Sequence, residues 1–101
     1  MAHHASAQAL DFLDLGQKFE IQEAFASQVL ADLKQMGAGP DRCAKVNVNG
    51  SGISLGRPIA CTGTRALVTL LYEMHRRGAR FGRECICGGG GLGIAAVVER
   101  I

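Results

Sequence analysis

Glu84-Cys85-Ile86-Cys87-Gly88-Gly89-Gly90-Gly91-Leu92-Gly93-Ile94-Ala95-Ala96-Val97-Val98 is the stretch that decides the fold. Glu84–Cys87 and the segment from Leu92 to Ile101 read as two strands joined by a glycine turn. The run holding Ile94, Val97 and Val98 is too short for an ordinary helix and rich in β-branched residues, so it reads as a strand buried on both faces. Five glycines crowd this turn, in a chain that has 14 among 101 residues. Glycine loses the most backbone freedom on folding, so such a run marks backbone that approaches a ligand or a flexible hairpin loop.

Upstream of these strands the periodicity becomes helical. Leu67, Leu70, Leu71 and Met74 define the face of a helix from about Thr64 to Arg77, and Ala66 and Val68 widen it until the helix reads as buried nearly all round. His75, Arg76 and Arg77 before Gly78 suit the negative end of its dipole and a glycine cap. Residues 41–58 carry no helical period. Val46, Val48, Ile53 and Leu55 alternate around the turn pair Asn49-Gly50, which reads as two short extended pieces or an irregular loop. Earlier, Phe25, Val29, Leu33 and Met36 mark one face of a first helix, stopped at Gly37 and Gly39-Pro40. Phe19–Ile21 before it reads as a short buried strand. The fold class is α/β, in the order β-α-loop-α-β-β, with residues 1–9 as a loose tail and 10–101 as the folded segment.

Composition narrows the function classes. The chain is 48% apolar and 20% charged, with 5% aromatics, as expected for a soluble globular domain and not for a collagen-like or disordered one. The apolar run Ile94–Val98 is far short of the ~20 residues of a membrane span. No charged segment followed by an apolar stretch opens the chain, so no secretory signal is expected. Four cysteines without such a signal read as reduced thiols in a cytoplasmic protein. Charge is segregated: residues 1–41 balance to −4 and residues 42–101 to +6. The basic part fits either a solvated face or an anionic, phosphorylated partner. Nucleic acid is not expected, because few aromatics interleave with the arginines.

Two generic motifs fail on context. Gly88-x-Gly90-x-x-Gly93 has dinucleotide-binding spacing, but that fingerprint needs a following helix, a further strand and an acidic residue ~20 positions on. Cys85-x-Cys87 would be half of a zinc site, yet Cys43, Cys61 and His75 are scattered singly, so no metal is expected. Cys43, Cys61 and Cys85 read as small buried hydrophobes. Cys87 differs, since adjoining glycines leave its sulfur accessible and backbone N–H groups near enough to bind an oxyanion.

Four blocks occur together in order and spacing: Gln22-Glu23-Ala24-Phe25, Asn47-Val48-Asn49-Gly50, Gly56-Arg57-Pro58 and Cys87-Gly88-Gly89-Gly90. Over residues 10–101 the chain resembles the C-terminal part of thiolases, enzymes that make or cleave β-ketoacyl-CoA. In that family one cysteine is acylated, and a second acyl-CoA, deprotonated at its α-carbon, attacks the acyl group. The resemblance implies that Cys87, on the C-x-G-G cysteine, is the base and that the Gly89 N–H helps form an oxyanion hole. The N-E-A-F asparagine, which acts through a bound water, falls on Gln22, and the G-H-P histidine falls on Arg57. Coenzyme A or acyl-CoA is then a substrate, with no cofactor bound covalently.

This chain departs from the family pattern at three points. Gln22 keeps the amide but adds a methylene. Arg57 can donate hydrogen bonds to a thiolate or an enolate oxygen, yet guanidinium cannot take a proton; its alternative is an ordinary surface arginine. The acyl-accepting cysteine belongs to the family's N-terminal half, outside these 101 residues. The family's sheet, taken in the order 3-2-1-4-5, implies that this chain supplies strands 3, 4 and 5, with nothing between 3 and 4. The expected function is therefore the C-terminal portion of a thiolase-fold acyltransferase, inactive alone. The alternative is a non-catalytic acyl-CoA-binding or protein-interaction module. Expected partners are a second copy or a companion N-terminal chain, with the strand at Phe19–Ile21 or Ile94–Ile101 paired across the interface. A monomer requires strand 3 to pair directly with strand 4.

Overall fold

The computed structural model describes residues 18–101; the expected tail at 1–9 lies outside them. In chain order the elements are β1 (Lys18–Ile21), α1 (Ala26–Gln35), the helical turns α2 (Pro40–Cys43) and α3 (Gly52–Leu55), α4 (Thr62–Arg77), β2 (Phe81–Cys87) and β3 (Gly93–Glu99). A 3-10 turn at Gly89–Gly91 joins β2 to β3. The expected β-α-loop-α-β-β order stands, with the loop containing two single helical turns. No helix among the described residues is long and apolar enough to cross a membrane.

The three strands form one mixed sheet in the order β1-β2-β3. β1 runs parallel to β2, with Lys18 opposite Gly82 and Ile21 opposite Cys85. β3 runs antiparallel to β2, from Phe81 opposite Glu99 to Cys87 opposite Gly93. The expected gap between the first and second strands is corrected here. β1 lies directly against β2, and a parallel bridge from Val46 to Phe19 occupies its other edge. Both edges of β1 are thus used within the chain, which removes it as an interface strand.

Among the described residues, α4 is the layer that packs on this sheet. α4 buries Ala66, Leu70 and Met74, spaced at four residues, and Val98 of β3 joins Leu70, Met74 and Ala79 in the core. Burial of a side chain such as Leu70 contributes about 1.5–3 kcal/mol. The helix approaches so closely because β2 carries Gly82 there, where a Cβ would lie 2.3 Å from the Met74 sulfur. Gly78, left-handed at φ 65°, caps α4 and donates its N–H to the His75 carbonyl, as the sequence predicts.

Three burial expectations are corrected. α4 is not enclosed all round, since Val68, Leu71 and Tyr72 on its outer side are exposed. β3 is uncovered on most of its length; Ile94 is 70% exposed and only Val98 reaches the core. No residue of α1 is buried, and Phe25, expected on its inner face, is 71% exposed. The apolar patterns located the elements, but among the described residues nothing covers these faces. Around Asn49-Gly50 the alternation was overruled locally. Ser51 and Ser54 form reciprocal caps that wind Gly52–Leu55 into a helical turn and leave Ile53 and Leu55 exposed.

Candidate active-site cleft

Successive strand residues point to opposite faces. Glu20, Gly82, Glu84 and Ile86 face α4, which leaves Phe19, Ile21, Arg83, Cys85 and Cys87 on the other side. There the Arg83 guanidinium covers the Phe19 ring at 5.6 Å. Beside it, the start of α1 and the glycine end of the β2–β3 hairpin enclose a cleft of about 600 Å³. Gln22, Phe25, Cys85, Cys87, Gly88 and Gly91 are among its lining residues.

Gln22 enters the cleft from the end of β1. Its N–H donates to the Cys85 carbonyl (2.9 Å), which extends the β1–β2 ladder by one bond and fixes Gln22 relative to Cys87. The side chain is 4% exposed, and neither polar atom of its amide has a protein partner. The amide packs over Gly52, where a Cβ would lie 2.3 Å from Nε2. A buried primary amide without a protein partner keeps up to two donor hydrogens and a carbonyl acceptor unused.

Asn47 holds the end of β1 in place. Its Oδ1 accepts the Ile21 N–H (2.7 Å), and its Nδ2 donates to the Ile21 carbonyl (2.9 Å) and to Glu23 Oε1 (3.0 Å). The side chain thereby acts as one residue of a neighbouring strand, and the backbone at φ 48° is what turns it there. Glu23 Oε2 in turn accepts the Ile53 N–H (3.0 Å), tying α3 to the same point. Neither role was inferred from the sequence, although Asn47 and Glu23 lie inside two of the quoted blocks.

Cys87 is half-buried at the end of β2. The turn after it is closed by the Gly88 N–H donating to the Leu92 carbonyl (2.8 Å). Gly90 and Gly91 both take left-handed φ near +78°, which explains why glycine is needed there. Gly89 sits in this turn between the lining residues Gly88 and Gly91 and does not itself line the cleft. Burial raises the Cys85 thiol above its ordinary value, with Arg83 opposing the rise. Cys43 and Cys61 are exposed, which corrects their reading as buried hydrophobes; of the three read that way, Cys85 alone is partly enclosed. Among the described residues no group of three or more His, Cys, Asp or Glu converges on a point that could hold a metal.

Arg57 stands apart from these residues. It is exposed on the link between α3 and α4 and does not line the cleft. The structure therefore brings Gln22 and Cys87 together, places Gly89 beside them, and leaves Arg57 outside.

A family profile described as "Thiolase, C-terminal domain" matches residues 4–100. An acetyl-CoA acetyltransferase of Chromobacterium violaceum is 56% identical over 81 residues, covering 80% of this chain and 20% of that protein. A 3-ketoacyl-CoA thiolase of Bacillus subtilis is 46% identical over 90 residues, covering 89% and 22%. A crystal structure of the Bacillus anthracis acetyl-CoA acetyltransferase superposes with a TM-score of 0.75 at 49% identity, over 81% of this chain and 20% of that one. The chain thus spans about a fifth of the length of these relatives. With the profile spanning nearly the whole sequence, this chain belongs to the thiolase family, within its C-terminal domain.

Proposed function

We propose that this chain supplies the proton-transfer side of a thiolase site, acting on acyl-CoA when the acyl-accepting half is supplied by further residues or a companion chain. The observation that supports the reading is that Gln22 and Cys87 line one cleft, joined through the Gln22–Cys85 backbone bond. A base must reach the substrate α-carbon while donors meet the enolate oxygen. In this assignment Cys87, as thiolate, takes the α-proton, and the Gln22 amide orients the group that meets the enolate oxygen. The Gly89 N–H contributes a donor from the turn. Arg57 donates hydrogen bonds only, because guanidinium holds its protons at any working pH. Coenzyme A enters as substrate.

A non-catalytic acyl-CoA-binding or protein-interaction module is the second reading, favoured by Arg57, which is exposed and lies outside the cleft. A graft separates the two. Residues 1–101 replace the matching C-terminal segment of the Chromobacterium relative, and cleavage of acetoacetyl-CoA is measured. The graft is expected to be weakly active, to recover on Arg57→His, and to lose activity again on Cys87→Ala. Activity that survives Cys87→Ala refutes the assigned base. Acetyl-CoA binding with no turnover, even with His at position 57, supports the second reading. The 101-residue chain alone is expected to show no cleavage with either residue at 57.

A further inference from the structure

On the sheet face opposite the cleft, β1 and β2 place Glu20 and Glu84 directly side by side. Facing residues on neighbouring strands lie about 5 Å apart. Glu20 is 2% exposed and Glu84 6% exposed, so both carboxyl groups are removed from water. Glu20 Oε2 and Glu84 Oε1 find no hydrogen-bond partner in the protein. One cation faces them from α4: Arg65 Nη1 stands 3.8 Å from Glu20 Oε2, while Arg65 Nη2 donates to the Ser51 hydroxyl (3.3 Å). Glu84 Oε1 also lies against the first turn of α4, 3.8 Å from where a Gly63 Cβ would sit. The residues of β3 on this face, Ile94, Ala96 and Val98, carry no charge. Lys18 shares the face of β1 with Glu20, and Glu73 lies further along α4 paired with Arg76 and Arg77. Glu23, past the end of β1, adds negative charge on the Glu20 side.

Two buried carboxylates opposite one guanidinium leave one negative charge uncompensated, and burying such a charge is costly. We propose that Glu20 and Glu84 share one proton at neutral pH and form a single buried anion opposite Arg65, so that the β1–β2 contact weakens as that proton is lost. Loss of the proton sets two like charges against each other across the strand pair that aligns Gln22 with Cys87. Burial raises Glu20 to about 7, against an opposing pull from Arg65, and burial likewise raises Glu84.

The pH dependence has a definite sign. An unfolded glutamate releases its proton near 4.5, whereas the folded pair holds one up to about 7. The folded state therefore binds more protons across this window, and its stability is full below 4.5 and falls as pH rises to about 7. The folding equilibrium constant drops by up to tenfold per pH unit for one proton.

The test is thermal unfolding of the 101-residue chain from pH 5 to 8, with Glu84→Gln and Glu20→Gln compared with the parent. Either substitution leaves a single carboxylate facing Arg65, so each is expected to flatten the profile and to raise stability at pH 8. The three histidines are common to all three proteins and cancel in the difference. Isotope-edited infrared spectroscopy of labelled glutamate supplies a reading that does not need cooperative unfolding. A protonated carboxyl band is expected at pH 6 in the parent and in neither variant. A parent profile that is flat or rises with pH, or a protonated band that persists in both variants, overturns the proposal.

Discussion

Gly52 and Gln22 are the pair whose coupling most directly checks the geometry of the cleft. At Gly52 an added Cβ would lie 2.3 Å from Gln22 Nε2, 3.1 Å from Gln22 Cδ and 3.1 Å from the Glu23 carbonyl oxygen. Ordinary contact begins near 3.4 Å, so Gly52→Ala forces the amide back by about an ångström while the carbonyl gives by a few tenths. Gln22 is enclosed, so it has little room to retreat, and overpacking of this kind costs about 1–3 kcal/mol. In a domain of this size that lowers the Tm by roughly 4–8 °C per kcal/mol. Gln22→Asn alone removes one methylene, worth about 0.8 kcal/mol of burial, and draws the amide away from Gly52. The alanine then has space, so the double variant should be more stable than the summed single losses indicate by about 1 kcal/mol or more. Urea denaturation of the parent, both single variants and the double variant provides the cycle. Additivity within about 0.5 kcal/mol would mean that Gln22 does not pack on Gly52, and the placement of its amide would be wrong.

The other expectations can be stated together. Iodoacetamide should label Cys87 faster than Cys85, whose thiol burial raises, while exposed Cys43 and Cys61 serve as internal standards; peptide mapping with Cys85 ahead of Cys87 refutes this order. Burial alone would raise Glu73, but hydrogen bonds from Arg76 and Asn49 and the charges of Arg76 and Arg77 outweigh it and hold the carboxyl at about 2. Glu73 therefore stabilises the fold above about 4.5, a contribution lost as pH falls towards 2, and Glu73→Gln should remove that acid limb from a denaturation profile. Exposed Leu71, Tyr72, Ile94 and Val97 should make the chain associate at micromolar concentration through β3 and the outer side of α4, and sedimentation showing a compact monomer refutes that.

Element identity was largely legible in the sequence, because helix and strand periods are local. α4 is an example: Leu70 and Met74 are core, and Gly78 caps the helix where the basic last turn ends. Burial was less legible, since an apolar face at Phe25 or Ile94 says that something should cover it, not that these residues do. The direct pairing of β1 with β2, foreseen only as what a monomer requires, is a long-range fact carried by no local pattern. In the cleft, the motifs pointed to Gln22 and Cys87, which line it together. The supporting contacts of Asn47 depend on a left-handed backbone that a sequence reading does not reveal. Glu20 and Glu84 escaped notice for the same reason as the sheet order, being neighbours only across the strands.

The parallel contact between β1 and β2 also orders events in time. β2 and β3 are joined by a short turn and can pair early, whereas Lys18 meets Gly82 only after a loop of about sixty residues closes. Pairing across such a separation is slow, because the loop entropy is lost before the contacts form. The hairpin carrying Cys87 should therefore acquire amide protection before the strand carrying Gln22 does. Pulse-labelling hydrogen exchange can follow separately the Gly88 amide, which donates to Leu92 within the hairpin, and the Gln22 amide, which donates to Cys85 across β1–β2; simultaneous protection would contradict this sequence. Until β1 docks, the thiol and the amide belong to separate surfaces, and the cleft becomes the last part of the molecule to exist.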